Sequence, residues 1–418
     1  MNRILLTLIF AATFVGAAAQ SITLDDCRAR AAENYPLRRN ADFLASAFQY
    51  NISNAQKGRL PQITISGKAT YQSDVTGLPI ELPGVDVPTL RKDQYNLVAE
   101  VSQTLYDGGA VKADCDRATF QNNADNLRQQ ADMYEVMNRV TKVYFAILTI
   151  DAQMEQNAIL RGDLRKTLHK ISALKDNGMA NQSDIDRIEV QMIKTAQDSL
   201  SLRVVRKGYV NVLAAFYGSE LDENIVLQIP SDVEPQPMQI NRYELQLLDT
   251  QKEYTASELK SLKTLYSPKI AAFVQGGVGN PALNMLKDEF APYYVAGVRL
   301  NWNISAFYRN KNNRAIISQR ADEIEMQKDL FCFNTNINAI NQNAEIENIT
   351  SKISDDAKII SLRESIRKNA EIRVENGTMS VSDLLDEMTA ESVARQTLKI
   401  HEIELLQKKY ELKHTLGQ

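Results

Sequence analysis

The sequence predicts a mostly α-helical membrane protein of the α/β class, with long coiled-coil-like helices and four short amphipathic strands per chain. Three observations carry that expectation. The chain is internally duplicated, two long tracts lack proline, and four strand-length segments alternate in polarity.

The duplication is clearest at two glycines. Asn177-Gly178-Met179-Ala180-Asn181-Gln182-Ser183-Asp184-Ile185 returns 199 residues later as Asn376-Gly377-Thr378-Met379-Ser380-Val381-Ser382-Asp383-Leu384. A second glycine, Gly218 or Gly417, follows each turn glycine by 40 residues. Leu60-Pro61-Gln62-Ile63 has a counterpart in Ser267-Pro268-Lys269-Ile270, and Val98 to Tyr106 has one in Val295 to Asn303. A period this long is no solenoid repeat, because those units run to 20–50 residues or so. The chain therefore divides into a first repeat over 21–218, a linker over 219–240 and a second repeat over 241–418.

Residues 1–20 predict a signal peptide, with Arg3 before the apolar run Ile4 to Val15 and small residues at Ala17-Ala18-Ala19. The run is too short to span a bilayer. Cys27 follows it too late to carry an N-terminal lipid. The net charge of −4 gives no case for nucleic acid. Cys27, Cys115 and Cys332 are odd in number and lack metal-like spacing, so they read as packing residues. His169, His401 and His414 stand alone among helix formers and read as surface or packing histidines. No metal or cofactor is expected.

Proline is excluded from helix interiors by its ring and missing donor. All 11 prolines avoid 89–229 and 293–418, tracts rich in helix formers. Met133, Met137, Val140, Tyr144 and Ile147 alternate spacings of four and three, as do Phe333, Ile337, Ile340 and Ala344, and Ile185, Ile188, Met192 and Ala196. Such spacing keeps one seam facing a neighbouring helix. Polar residues such as Asp151 interrupt the seams, as expected of helices that each contact two neighbours in a closed ring.

The turn glycines supply the left-handed residue that ends a helix. Asn181 and Ser380 are N-cap candidates for the returning helices. Helices are expected at about 110–176 and 181–217, and at about 306–375 and 380–416. The first spans roughly 100 Å at 1.5 Å per residue. Strands are expected at about 62–73, 94–105, 269–279 and 293–304. Ile63 and Ile65 share an apolar face whose reverse is Thr64, Ser66 and Lys68. Val298, Leu300 and Trp302 share another, with Arg299 and Asn301 behind. Ala271 and Phe273 blur the polar face of the third strand. Alternating strands of about ten residues match outer-membrane barrel strands, with lipid outside and water inside. A half-buried soluble sheet alternates identically. The signal peptide and the aromatic ends Tyr71, Tyr95, Tyr294 and Trp302 favour the membrane.

Four strands cannot close a membrane barrel, since every backbone group in lipid needs a partner. Strands must therefore be pooled: two chains give eight and three give twelve.

At this point the chain resembles the TolC-like outer membrane efflux proteins. The resemblance rests on the two-repeat layout, on Gln103-Thr104-Leu105-Tyr106-Asp107-Gly108-Gly109 where strand passes into long helix, and on the paired turns with Ser183-Asp184 and Ser382-Asp383. Trp302-Asn303-Ile304-Ser305-Ala306 departs from it, lacking a Gly-Gly pair. The resemblance implies a homotrimer with a twelve-stranded β-barrel in outer-membrane lipid above a periplasmic α-barrel. It makes 219–240 an equatorial segment and the protein a passive exit duct, not an enzyme. Its partners would be a periplasmic adaptor (membrane fusion) protein and an inner-membrane pump of the RND or ABC class. The resemblance further implies adaptor-docking tips at Gly178, Met179, Gly377 and Thr378, and a tunnel constriction at Asp383 and Asp386. By residue chemistry alone, an Asp in the first helical turn caps the helix and complements its dipole. A periplasmic coiled-coil adaptor and a structural protein of the cell envelope are the alternatives. No phosphate loop or nucleophile elbow supports a hydrolase.

Overall fold

The computed structural model describes residues 21–75, 90–234 and 239–418. The expected signal peptide, and much of the expected loop between the first two strands, lie outside the described residues. Among the described residues are seven helices and four strands. In chain order they are α1 (Leu24–Asn34), α2 (Arg39–Lys57), β1 (Gln62–Tyr71), β2 (Asp93–Tyr106), α3 (Ala110–Asp176), α4 (Gln182–Tyr217), α5 (Tyr243–Tyr266), β3 (Lys269–Asn280), β4 (Ala291–Asn301), α6 (Asn310–Glu375) and α7 (Val381–Leu416). The helices α1, α2 and α5, which lead into the two strand pairs, were not expected from the sequence.

The entries to the two longest helices differ for a local reason. The Asp107 carboxylate accepts from the N–H groups of Gly109 and Val111, both at 2.8 Å, and so caps α3 directly. The second repeat has neither that Asp nor the glycine pair. There the chain makes a 3-10 turn, Ile304–Arg309, and α6 starts only at Asn310 rather than near 306. β4 also ends early, because Asn301 pairs with Lys269, the first residue of β3. Trp302 is therefore not a strand residue. It remains exposed, and its indole N–H donates to the Tyr266 carbonyl at 2.9 Å.

Contacts divide the molecule into two compact units, each drawing on both halves of the duplication. One comprises Arg39–Gln129 and Tyr243–Phe331. The other comprises the described residues up to Arg38, together with Gln130–Arg242 and Cys332–Gln418. The long helices α3 and α6 contribute to both.

The first unit holds an antiparallel sheet in the order β1-β2-β3-β4. Its register sets apolar residues together: Ile65 faces Ala99, Val101 faces Val274, and Val274 faces Ala296. The same register sets polar residues together on the reverse face. A bulge between Thr104 and Tyr106 marks the end of β2. Three ion pairs join α5 to α6: Lys328–Asp249 and Lys252–Glu325 at 2.6 Å, and Arg320–Glu258 at 2.8 Å.

The second unit has a core of Val140, Tyr144, Phe145 and Ile147 from α3, Val210 and Leu213 from α4, and Ile403 and Tyr410 from α7. The linker is part of it. Ile22 bridges to Leu227, and the Tyr144 hydroxyl lies between the carbonyls of Ile22 (2.8 Å) and Gln228 (2.6 Å). Cys27 packs in this core as a free thiol, and burial pushes it up to about 12.

Gly417 ends α7 at φ +78, and a Cβ there would lie 2.2 Å from the Asn241 carbonyl oxygen. At Gly178 (φ +76) nothing lies within 4 Å of such a Cβ. Gly178→Ala should cost only the left-handed conformation, about 1–2 kcal/mol. Gly417→Ala should lower the thermal midpoint further, because backbone must also move.

His414 stacks on Tyr134 with ring centroids 4.2 Å apart, and its Nε2 meets Glu135 Oε1 at 3.0 Å. Burial holds His414 below its ordinary value, and Arg242 and Arg28 also oppose its protonation, while Glu135 favours it. The unfolded chain thus takes up a proton that the folded chain resists. This penalty is absent above the unfolded value of 6.5 and grows as pH falls below it. His414→Gln should flatten the loss of thermal stability between about pH 7 and pH 5.

Candidate functional site

The two turns have the same hydrogen bonds. After α3, Met179 N–H donates to Leu174 O (2.8 Å) and Gly178 N–H to Lys175 O (2.8 Å). After α6, Thr378 N–H donates to Arg373 O (2.8 Å) and Gly377 N–H to Val374 O (2.9 Å). This reciprocal pair satisfies the last helical carbonyls and requires a left-handed residue, supplied by Gly178 and Gly377. Met179 and Thr378 are exposed, whereas Ala180 and Met379 pack inward. The predicted tip residues therefore form two like, exposed loops.

The returning helices are capped as expected. Asn181 accepts from Asp184 N–H at 3.1 Å, and the Asp184 carboxylate accepts from Asn181 N–H at 3.1 Å. Ser380 accepts from Asp383 N–H at 3.1 Å and donates its hydroxyl proton to the Asp383 carboxylate at 2.7 Å. Asp383 therefore does belong to a cap. Leu384, Leu385 and Met388 are buried beneath it, which leaves Asp383 and Asp386 together on the exposed side of α7. Asp386 has no hydrogen-bond or ion partner among the described residues.

Sequence reasoning missed a ladder of charges between α6 and α7. Arg363 meets Glu387 at 3.0 Å, and Arg395 meets Glu391 at 2.7 Å and Glu364 at 3.3 Å. Arg367 holds both Glu391 and Glu371. Further along, Asp356 meets His401 at 2.6 Å and Lys408 meets Glu345 at 2.8 Å. The first repeat has Leu164 and Ile188 in place of Arg363 and Glu387, and Leu168 and Met192 in place of Arg367 and Glu391. Those four pack in or against one apolar cluster. The α3–α4 hairpin uses a charge pair elsewhere: Asp151, which interrupts its seam, holds the buried Arg206, whose guanidinium also donates to the carbonyls of Glu223 and Ile225. A signal was available, since these opposite charges stand nearly equidistant from their turn glycine.

The ladder makes a comparison of variants informative. Arg367→Leu alone should destabilise the helical unit by about 1–3 kcal/mol, because Glu391 loses one of two cations in a half-buried site. Adding Glu391→Met restores the chemistry of Leu168 and Met192 and should recover most of that loss in urea melts.

On the sheet, Ile63, Ile65, Val298 and Leu300 lie on one apolar face and are all exposed in the single chain. On the other face, Arg299 forms a two-point ion pair with Glu100 (3.0 and 3.2 Å), and its guanidinium lies 4.6 Å from the Phe273 ring centre. Phe273 thus sits on the polar face opposite Gly297, which leaves room for its ring. Tyr293 donates to Asn96 at 2.8 Å on the same face. No helix among the described residues is long and apolar enough to cross a membrane.

The described residues thus combine a two-faced four-stranded sheet with two very long helical hairpins. The family model for outer membrane efflux proteins matches residues 28–204. The fold is similar to that of the outer membrane protein VceC from Vibrio cholerae, with TM-score 0.68 and 14% identity over 94% of this chain and 96% of that one. It is similar to CusC, with TM-score 0.73 and 14% identity over 94% and 91%. It is also similar to the open state of the Neisseria gonorrhoeae MtrE outer membrane channel, with TM-score 0.67 and 15% identity over 94% and 88%. A comparison with curated protein sequences gives no match. Residues 28–204 are thus similar to the outer membrane efflux protein family, and the whole chain shares its fold with these channels.

Proposed function

We propose that this protein is the outer-membrane exit duct of a tripartite efflux pump, acting as a homotrimer and passively, without catalysis. The observation that carries the proposal is the sheet. Its one face is apolar and exposed, its other face is polar, and β1 and β4 have unpaired edges. In lipid such edges must be paired, and pairing β1 of one chain with β4 of the next closes a barrel. Three chains give twelve strands, with the apolar face toward lipid and the polar face toward water.

The helices support the same assembly. Phe333, Ile337 and Ile340 form a seam on α6, and Val190, Ile193, Leu200 and Val204 form another on α4. Both are exposed in the single chain. By contrast, Val140, Tyr144 and Ile147 are buried within it. A head-to-tail ring places each outer seam against a neighbouring copy.

Ile63, Ile65, Val298 and Leu300 are proposed to face lipid, with Trp302 just beyond the strand end as an interfacial anchor. Val298→Arg should then impair assembly more than Asn301→Arg, by on the order of 2–4 kcal/mol for a charge near the bilayer midplane. Trimer on a heat-modifiability gel is the readout, and equal yields would overturn the assignment.

The loops at Gly178, Met179, Gly377 and Thr378 are proposed to receive the periplasmic adaptor, which links the duct to an inner-membrane pump of the RND or ABC class. Their support is exposure and the open space around both glycines. Asp383 and Asp386 are proposed to line the constriction, where three copies of each make carboxylate rings that attract cations. The double variant Asp383→Asn, Asp386→Asn should reduce cation preference and relieve block by multivalent cations in planar bilayers. Unchanged selectivity would return Asp383 to its capping role alone.

A further inference from the structure

We infer that the barrel section of the duct is cationic and favours anionic solutes. This rests on the reading that the polar face of the sheet lines the water-filled lumen. The charged residues that register places on that face are Lys68 on β1, Glu100 on β2, Lys269 on β3 and Arg299 on β4. The lone acid is already engaged, since Glu100 holds Arg299 through both oxygens at 3.0 and 3.2 Å. Arg299 is further fixed over Phe273 at 4.6 Å. Lys68 and Lys269 are exposed and have no acidic partner among the described residues. The opposite face carries one charge, Asp93 at the first residue of β2, and Arg91 neutralises it at 2.9 Å. Each chain therefore adds two uncompensated positive charges to the water face.

The two lysines lie at different levels. Lys68 pairs in register with Asn96, toward one end of the strands, and Lys269 pairs with Asn301 at the other. Copies around a symmetric barrel form two basic rings with the neutral Glu100–Arg299 girdle between them. Basic rings raise the local anion concentration and lower that of cations. An anionic solute then leaves through the barrel faster than a cationic one of equal size.

The test is the reversal potential of the full-length protein in planar bilayers under a potassium chloride gradient. Low salt is needed, because the Debye length is about 30 Å at 0.01 M and about 3 Å at 1 M. Lys68→Gln with Lys269→Gln should move the potential toward the cation value. Glu100→Gln leaves Arg299 without its acid and should move it toward the anion value. Lys68→Glu with Lys269→Glu enlarges the first shift and stands in where the Gln pair fails to insert. Both shifts should fade at high salt. Conducting channels that show no shift, or the same sign of shift for the lysine and glutamate variants, would overturn the inference. Failure of the lumen reading itself looks different: Val298→Arg and Asn301→Arg would then give equal yields of trimer.

Discussion

A peptide group in hydrocarbon has no water to bond, so every strand edge in a membrane must meet another strand. On the proposed function, the design of the sheet follows from that constraint. The sheet provides a single two-faced layer whose edge strands β1 and β4 are each paired on one side only. On the proposed barrel reading one chain cannot close that layer, and the protomer is completed by its neighbours. The exposed apolar residues on the sheet and along α4 and α6 would be an aggregation hazard on a soluble monomer. On one subunit of a closed ring they are the surfaces that assembly removes from solvent.

The duplication uses the same backbone design twice with different side-chain chemistry. Both hairpins end in the same glycine turn and begin again from a side-chain cap. Near those turns, α3 and α4 present Leu164, Leu168, Ile188 and Met192, whereas α6 and α7 present Arg363, Arg367, Glu387 and Glu391. Apolar contacts are not screened by salt and are indifferent to mild changes of pH. Half-buried charge pairs respond to both, since their desolvation is repaid only while both partners stay ionised and well placed. The pairing of α6 with α7 is accordingly the more condition-dependent of the two, although the backbone of each hairpin is alike.

The same contrast appears on the sheet. Its apolar face is dominated by Ile, Leu, Val, Ala and Tyr, with Asp93 at the first residue of β2 as its one charge. Its polar face is differentiated, with a fixed Glu100–Arg299 pair, a ring packed into the space above Gly297, and two lysines without acids. A water-filled lumen tolerates any polar residue, so on the proposed barrel reading the residues of this face are free to set ionic character.

The sequence by itself determined the long helices, the turn glycines and the four alternating strands. Each is a one-dimensional pattern: absence of proline, a spacing of threes and fours, a left-handed residue, a period of two. It also placed Asp383 beside its cap. Only the tertiary structure decided that α6 starts through a 3-10 turn, that Trp302 falls outside β4, and that the linker enters the core beside Tyr144. Only it showed that Asp151 answers Arg206 and that a charge ladder joins α6 to α7. Those facts depend on which side chains meet across two elements, and that is fixed by helix rotation and strand register. A local pattern specifies an element and its apolar face, but the partner of a given charge is chosen by packing.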